Sequence, residues 1–416
     1  MKSDLDRLMR ENDIDGLLIT GPGQHNPPMV YMTGGAHLTA ADLVKPRDRD
    51  PILFYSPMER DEAARSGLDA RNVMEYPYKE FLKESGGDRV RATAMRYKRM
   101  LADAGLEAGR VAVYGRTELN AFLAILKALE ILNPDLEFVG EPSGDSILLQ
   151  AMATKDAAEI ERIRRVGRIT TEVVGLTADF LSGHAARDGV LVKPDGDPLT
   201  VGDVKRRIDL WLAERGVETP EGFIFAIGRD AGVPHSSGTD SDPLALGKTI
   251  VFDIFPCEKG GGYYFDFSRT WSLGYATEAV ESLYDDVRST FDAVMGALKT
   301  GEPTTRYQEQ TCDLFEGLGH RTTRQDPLIQ SGYVHSLGHG IGLHVHEAPW
   351  FRNQVYATPR DVLRPGSVVT VEPGLYYPDE GMGVRLEDSV AVHPDGRIEV
   401  LVEYPLDLVI PVKGAR

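Results

Sequence analysis

Four acidic residues of this 416-residue chain lie inside strand-like runs of valine, isoleucine, phenylalanine and tyrosine. Asp253 and Asp266 stand on two such runs that flank the turn Lys259–Gly262, which predicts a β-hairpin with one aspartate on each arm. Glu372 and Glu387 repeat the arrangement on a second pair of strand-like runs. A carboxylate buried among apolar side chains destabilises a fold unless a cation compensates its charge. The fold must therefore supply cations to these four positions, and a pair of divalent metal ions would compensate all four.

A histidine-rich segment lies between the two predicted hairpins. It runs from His335 to Pro349 and contains His339, His344 and His346, with glycines that allow close backbone approach. One histidine added to four carboxylates forms a mostly oxygen site that suits Mn²⁺, Co²⁺, Fe²⁺ or Zn²⁺. Four negative charges offset two divalent ions, which leaves the ion pair able to hold a bridging hydroxide at neutral pH.

Composition excludes several other classes of function. The chain has 46 basic and 64 acidic residues and a net charge of −18, so we expect neither nucleic acid nor an anionic membrane as a partner. The most apolar helical stretch is interrupted by Lys127 and Glu130, so it falls short of the roughly 20 uninterrupted apolar residues that a membrane span needs. Two cysteines are too few for a disulfide framework, and the charged, amphipathic start is unlike a signal peptide. We therefore expect a soluble protein in the cytoplasm.

Periodicity predicts two α/β domains. In the first third, helical patterns alternate with short strand-like runs around Leu17–Thr20, Ile52–Tyr55 and Val111–Tyr114, which indicates a small mixed sheet with crossover helices. A loop-rich stretch near residue 150 is followed by a long amphipathic helix. Asp156 and Glu159 have the form of a capping box at its start. We place the domain boundary there and predict domains at residues 1–150 and 151–416.

The order and context of these residues resemble the pita-bread metallopeptidases, and within them the aminopeptidase P and prolidase branch. The metal-ligand series of that family is similar to Asp253, Asp266, His339, Glu372 and Glu387. The two aspartates are further apart here than in the family, which a longer hairpin turn explains. The resemblance implies an α/β (α+β) fold, with a creatinase-like N-terminal α/β domain followed by a pita-bread catalytic domain.

The resemblance also implies a role for each matching residue. Asp253 would bind one of two divalent ions, Asp266 and Glu387 would bridge them, and His339 with Glu372 would complete the other site. Glu372 would also accept a proton from the bridging water, and the resulting hydroxide would be the nucleophile. His235 and His346 would be the catalytic pair that hydrogen-bonds the substrate and the tetrahedral intermediate. His335 would contact the substrate on the prime side, and Arg385 is typical of the proline-specific branch.

The predicted activity is hydrolysis of the peptide bond between an N-terminal residue and proline. The implied cofactors are two divalent ions per subunit, Mn²⁺ first and Co²⁺, Zn²⁺ or Fe²⁺ as alternatives, and the implied partners are Xaa-Pro peptides and a second copy in a homodimer. Three alternatives stay open: a same-fold hydrolase of a non-proline small-molecule amide, a methionine aminopeptidase-like exopeptidase, and a non-catalytic binding module. Arg385 and the N-terminal domain oppose the second, and the complete ligand series opposes the third.

Several nearby residues can be explained without a role in catalysis. We expect His344 to lie on the strand face opposite His346, and Cys257 to be a bystander thiol. For Arg269, a structural ion pair and support of a metal ligand are both open. The pair His346-Glu347 does not form a zincin motif, because the chain has Trp350 where the second histidine would stand and Pro349 would break the helix.

Overall fold

The computed structural model describes residues 1–142 and 144–414. The chain forms two compact units. The first comprises Met1–Met152 with Gly260–Gly262, and the second comprises Ala153–Lys259 with Tyr263–Arg416. The domain boundary that we place near residue 150 remains a proposal. The nearest feature of the structure is the change from the first unit to the second after Met152.

The first unit is built on a mixed six-stranded sheet, as the alternating pattern predicts. Its strands are β1 (Gly16–Gly21), β2 (Ala41–Pro46), β3 (Ile52–Tyr55), β4 (Asp69–Asn72), β5 (Gly109–Gly115) and β6 (Leu136–Val139). Its helices are α1 (Leu5–Glu11), α2 (Pro27–Thr33), α3 (Arg60–Arg65), α4 (Tyr78–Glu84), α5 (Arg89–Asp103), α6 (Leu119–Leu132) and α7 (Ile147–Met152). The sheet order is β4-β3-β2-β1-β5-β6, with β1 parallel to β5 and antiparallel to β2. The three predicted strands lie within β1, β3 and β5.

The second unit combines long helices with two larger sheets. Its helices are α8 (Ala157–Gly183), α9 (Val201–Glu214), α10 (Glu278–Ala297) and α11 (Thr305–Gly317). The first group of strands is β7 (Ala185–Arg187), β8 (Val190–Val192), β9 (Val217–Glu218), β10 (Ile224–Ile227), β11 (Thr249–Ile254), β12 (Cys257–Glu258) and β13 (Phe267–Leu273). The second group is β14 (His339–Gly340), β15 (Glu347–Trp350), β16 (Val368–Val371), β17 (Gly374–Tyr377), β18 (Met382–Arg385), β19 (Asp388–Val392), β20 (Ile398–Val400) and β21 (Val409–Ile410).

Two sheets of this unit carry the residues of interest. One has the order β10-β11-β13-β21 and the other the order β15-β14-β16-β19-β20. The amphipathic helix α10 packs its apolar stripe into a core cluster with residues of β16, β18 and β19. Helix α8 begins at the predicted capping box, where Asp156 accepts from the Glu159 backbone N–H at 2.9 Å and Glu159 accepts from the Asp156 N–H at 2.7 Å.

Both predicted hairpins are present, with interrupted strands. Strands β11 and β13 are antiparallel, with Asp253 opposite Ser268, and Asp266 directly precedes β13. The same register continues beyond Asp266, where Phe265 donates to Pro256 and Cys257 bridges Tyr264, to a turn at residues 259–261, within the predicted turn. In the second hairpin, β16 pairs with β19 and β17 with β18 in one register that is interrupted at Glu372 and Glu387.

A helix that crosses a bilayer must be about 20 residues long and predominantly apolar. Within residues 1–142 and 144–414, no helix is long and apolar enough to cross a membrane.

Candidate active site

Ends of neighbouring strands bring the candidate ligands together. Asp253 lies on β11, Asp266 directly precedes β13, and His339 begins β14. Glu372 directly follows β16, and Glu387 directly precedes β19. All five line one cavity of about 480 Å³, a size typical of small-ligand sites. The four other sequence-predicted site residues also line it: His235, His335, His346 and Arg385.

The donor atoms of this cluster lie close enough to share cations. Asp266, His339 and Glu387 each offer one atom, all within 4.8 Å of one another. The His339 ring places Nε2 3.4 Å from Glu372 Oε1 and 3.7 Å from Asp266 Oδ2. Its Nδ1 lies 3.0 Å from the Gly340 carbonyl oxygen, so Nδ1 donates and the Nε2 lone pair faces the carboxylates.

Two buried oxygens of the cluster have no hydrogen-bond partner. These are Asp253 Oδ1 and Glu387 Oε1, whereas the second oxygen of each carboxylate is bonded. Buried polar atoms are nearly always paired, so unpaired carboxylate oxygens at one cavity point to a cation. The oxygen-rich donor set with one imidazole therefore fits divalent metal ions.

Electrostatics of the cluster lead to the same conclusion. Burial, followed by the charge of Glu387, holds the pKa of Asp266 well above its usual range, and burial followed by the charge of Glu372 does the same for Glu387. Burial raises the pKa of Glu372 to about 8, although Arg385 opposes the shift. Burial, with a smaller effect of His346, lowers the pKa of His339 to about 3, so this imidazole is neutral at pH 7. The cluster lacks positive charge, which bound cations would supply.

Arg385 forms an ion pair with one carboxylate of this ligand set. Its side chain is 2% exposed and its Nη2 donates to Asp253 Oδ2 at 2.7 Å. The same guanidinium donates to the Tyr376 hydroxyl at 2.7 Å and to the Pro234 carbonyl at 3.3 Å. Arg385 therefore holds Asp253 in place and connects it to the loop that carries His235.

The histidines differ in how firmly they are held. The His335 ring is fixed, with Nε2 2.8 Å from the Tyr376 hydroxyl and Nδ1 2.7 Å from the Ser336 carbonyl oxygen. His346 and His235 are more exposed, and the His346 ring centroid lies 4.3 Å from that of His339. Burial lowers the pKa of His346, with the charge of Glu221 opposing the effect. His344 is absent from the cavity lining.

The structure also answers the questions about Arg269 and Cys257. Arg269 is buried and donates to the Glu387 carbonyl at 2.8 Å and to Asp388 Oδ1 at 2.9 Å, so it both forms an ion pair and supports the segment of Glu387. Cys257 is buried, and burial followed by the charge of Glu218 raises its pKa to about 12. A protonated thiol is a poor ligand and nucleophile, which agrees with a bystander role.

Sequence reasoning missed two features of this region. One is the cavity wall, which has the carboxylate of Glu221 together with a set of apolar side chains: Phe223, Ile224, Phe255, Val345 and Trp350. The other is a fully buried ion pair between Lys155 and Glu347. Glu221 lies in a turn without periodicity, and the partners of the ion pair are 192 residues apart in sequence, so neither gave a local signal.

Comparison with known proteins identifies both parts of the chain. Residues 161–394 match the model of metallopeptidase family M24, which is more than half of the chain, and residues 2–139 match the creatinase/prolidase N-terminal domain. A Xaa-Pro dipeptidase of Lactobacillus delbrueckii subsp. lactis is 25% identical over 406 residues, which cover 94% of this chain and 95% of that protein.

Solved structures show the same fold. A Xaa-Pro dipeptidase from Bacillus anthracis superimposes with a TM-score of 0.73 at 21% identity, covering 98% of this chain and 99% of the other. An X-Pro aminopeptidase from Thermotoga maritima gives a TM-score of 0.71 at 23% identity, covering 97% and 99% of the two chains. The predicted fold class, a creatinase-type N-terminal domain and a pita-bread domain, is confirmed. The chain is a member of metallopeptidase family M24, a family of enzymes that use divalent metal ions.

Proposed function

We propose that this protein is a dinuclear metal-dependent exopeptidase that hydrolyses the bond between an N-terminal residue and proline. The observation that carries the proposal is the convergence of four carboxylates and one neutral imidazole on a single cavity, where two buried carboxylate oxygens are unpaired. The same set would be costly to bury in a protein that bound no cations.

In this proposal, five residues hold two divalent ions. Asp253, Asp266, His339, Glu372 and Glu387 would hold them. Divalent ions held by such residues supply Lewis acidity, which activates water for attack and polarises a carbonyl group. Arg385 and Ser268 orient two of the carboxylates, since they bond Asp253 Oδ2 at 2.7 Å and Glu387 Oε2 at 2.8 Å.

The other side chains perform the proton transfers and stabilise developing charge. Glu372 is the proton acceptor, because its carboxylate faces the cavity beside His339 and its hydrogen bond from the Thr370 hydroxyl, at 3.5 Å, is weak. His346 and His235 line the cavity and are both exposed, so their rings can turn to hydrogen-bond the scissile carbonyl oxygen as it becomes negative.

Three considerations support proline as the residue after the scissile bond. A bond before proline is a tertiary amide without an N–H, which suits a site that does not grip the backbone on both sides. The L. delbrueckii relative is named a Xaa-Pro dipeptidase, and the chain matches the creatinase/prolidase N-terminal domain. Arg385, typical of the proline-specific branch, lies in the cavity.

The proposal also includes Mn²⁺ as the physiological metal, a homodimer, and a cytoplasmic location. The two buried free thiols, Cys257 and Cys312, support a reducing compartment. Inductively coupled plasma spectrometry of the isolated protein and its mass in solution test the first two statements.

The decisive experiment is a matched substrate series. Leu-Pro, Leu-Pro-Gly, Leu-Ala and Met-Ala-Ser are incubated with enzyme that has been stripped by chelator and reloaded with Mn²⁺, Co²⁺ or Zn²⁺. We expect cleavage of the two proline peptides alone, restored by metal, and the ratio of their rates distinguishes a dipeptidase from an aminopeptidase. Stoichiometric metal binding without turnover of either proline peptide would refute the proposal in favour of a different amide substrate.

A further inference from the structure

One carboxylate of the cavity wall belongs to neither the ligand set nor a protein ion pair. Glu221 is exposed to the cavity, and its hydrogen bond is a long one, 3.4 Å from the hydroxyl of the buried Tyr264. Within the described residues, 1–142 and 144–414, no lysine or arginine forms an ion pair with it. Glu221 therefore presents its carboxyl group to whatever occupies the cavity.

Two other charged residues of this region already have partners. Glu258, on β12, accepts from Arg162 and from Arg165 at 2.6 Å each. Arg385, which also lines the cavity, is bonded to Asp253 and to the Tyr376 hydroxyl. Neither set of arginines is therefore available to Glu221, which lies outside the ligand set.

The surroundings of Glu221 suit a long side chain that ends in a cation. Phe223, Phe255 and Val345 line the same cavity and offer apolar and aromatic surface. Lysine and arginine bury their aliphatic stems along such surface while the charged head reaches a polar group. Aromatic walls add a favourable contact with a guanidinium or ammonium group.

We propose that Glu221 is a specificity-determining residue that selects a positively charged side chain on the substrate residue preceding the scissile bond. The inference rests on the proposed exopeptidase function and adds a preference for Lys-Pro and Arg-Pro peptides among its substrates. The substrate α-amine is a weaker candidate for this contact, because every exopeptidase substrate carries it and the ligand carboxylates already surround the reacting end.

The test compares Arg-Pro with citrulline-Pro, since citrulline has nearly the shape of arginine and no charge. We expect the Mn²⁺-loaded wild-type enzyme to prefer Arg-Pro by about fivefold in kcat/KM, a size typical of one solvent-accessible ion pair. Glu221→Gln should remove this preference while it leaves kcat/KM for Leu-Pro within about twofold. Glu221→Asp keeps the charge and should retain part of the preference.

Glu214→Gln is the matched control, because it removes the same charge from an exposed position on α9 outside the cavity. It should leave the Arg-Pro preference intact. An equal Arg-Pro to citrulline-Pro ratio in wild type and Glu221→Gln would overturn the inference while leaving the exopeptidase proposal standing. A loss in Glu221→Gln of the same size for Arg-Pro, citrulline-Pro and Leu-Pro would also overturn it, since it would assign Glu221 to the α-amine. Failure of the wild type to cleave any of the three would overturn the proposed function and this inference together.

Discussion

Replacing Lys155 with methionine should destabilise the second unit by about 3–5 kcal/mol, the cost of leaving a buried charge unpaired. The Lys155 and Glu347 side chains are 2% and 0% exposed and form an ion pair. Glu347 Oε2 also accepts from the His344 N–H at 3.4 Å, and the Lys155 backbone N–H donates to Gly366 at 2.7 Å. A Cβ on Gly342 would lie 2.6 Å from Glu347 Oε1 and 2.8 Å from Lys155 Cε, so the pair is closely enclosed and Glu347 cannot turn toward water.

The assay is urea denaturation of the metal-loaded protein, followed by tryptophan fluorescence. All three tryptophans, at positions 211, 271 and 350, belong to the second unit, so the signal reports on the unit that contains the ion pair. Arg288→Met is the control, because the pair Arg288–Asp292 has side chains 38% and 55% exposed and should be worth less than about 1 kcal/mol.

The double variant Lys155→Met/Glu347→Gln separates charge from packing. Removing both charges should recover about 2 kcal/mol relative to Lys155→Met alone, because no uncompensated carboxylate remains buried. The reasoning is refuted if Lys155→Met costs no more than Arg288→Met. It is equally refuted if the double variant loses the sum of the two single losses, since that would show no coupling between the side chains.

Three further outcomes follow from the site. Glu372→Gln should lower kcat at least about 10²-fold in a steady-state assay with saturating Mn²⁺, as expected for loss of a general base. His346→Asn should lower kcat by about 10²–10³-fold, whereas His344→Asn, outside the cavity lining, should leave it nearly unchanged. The folded pKa of Glu372 is raised to about 8, above its unfolded value of 4.5, so its stabilising protonation is lost as pH rises through that range. Scanning calorimetry should therefore show the difference in Tm between Mn²⁺-loaded and chelator-stripped protein widen from pH 6.5 to pH 8, and a constant difference would contradict the assignment.

Short-range signals predicted secondary structure well. The capping box at Asp156 and the amphipathic pattern that follows it correspond to helix α8, because both patterns act within a few turns of the chain. Strand ends were harder to predict. Asp266 lies in a predicted strand and yet directly precedes β13, and the neighbouring Tyr264 donates to Gly342, because a long-range hydrogen bond competes with the ladder and leaves no trace in local composition.

The candidate ligands could be found from sequence because their chemistry conflicts with their neighbours. A carboxylate such as Asp253 in an apolar strand needs a compensating cation, and this need can be inferred from the residue types alone. The buried pair Lys155–Glu347 has the same need, but each residue sits next to ordinary polar neighbours and its burial depends on the fold. Glu221 is visible only as part of a cavity wall, which exists only after the strands have assembled.

The two unpaired oxygens show how the fold prepares this site for cations. In Asp253 one oxygen is bonded to Arg385 at 2.7 Å, and in Glu387 one oxygen accepts from the Ser268 hydroxyl at 2.8 Å. The other oxygen of each carboxylate is buried and free. A carboxylate held at one oxygen cannot rotate, so its free oxygen keeps a fixed direction, and ligands oriented in this way bind metal without first losing rotamer freedom. The protein thus fixes half of each carboxylate and leaves the other half to a divalent ion.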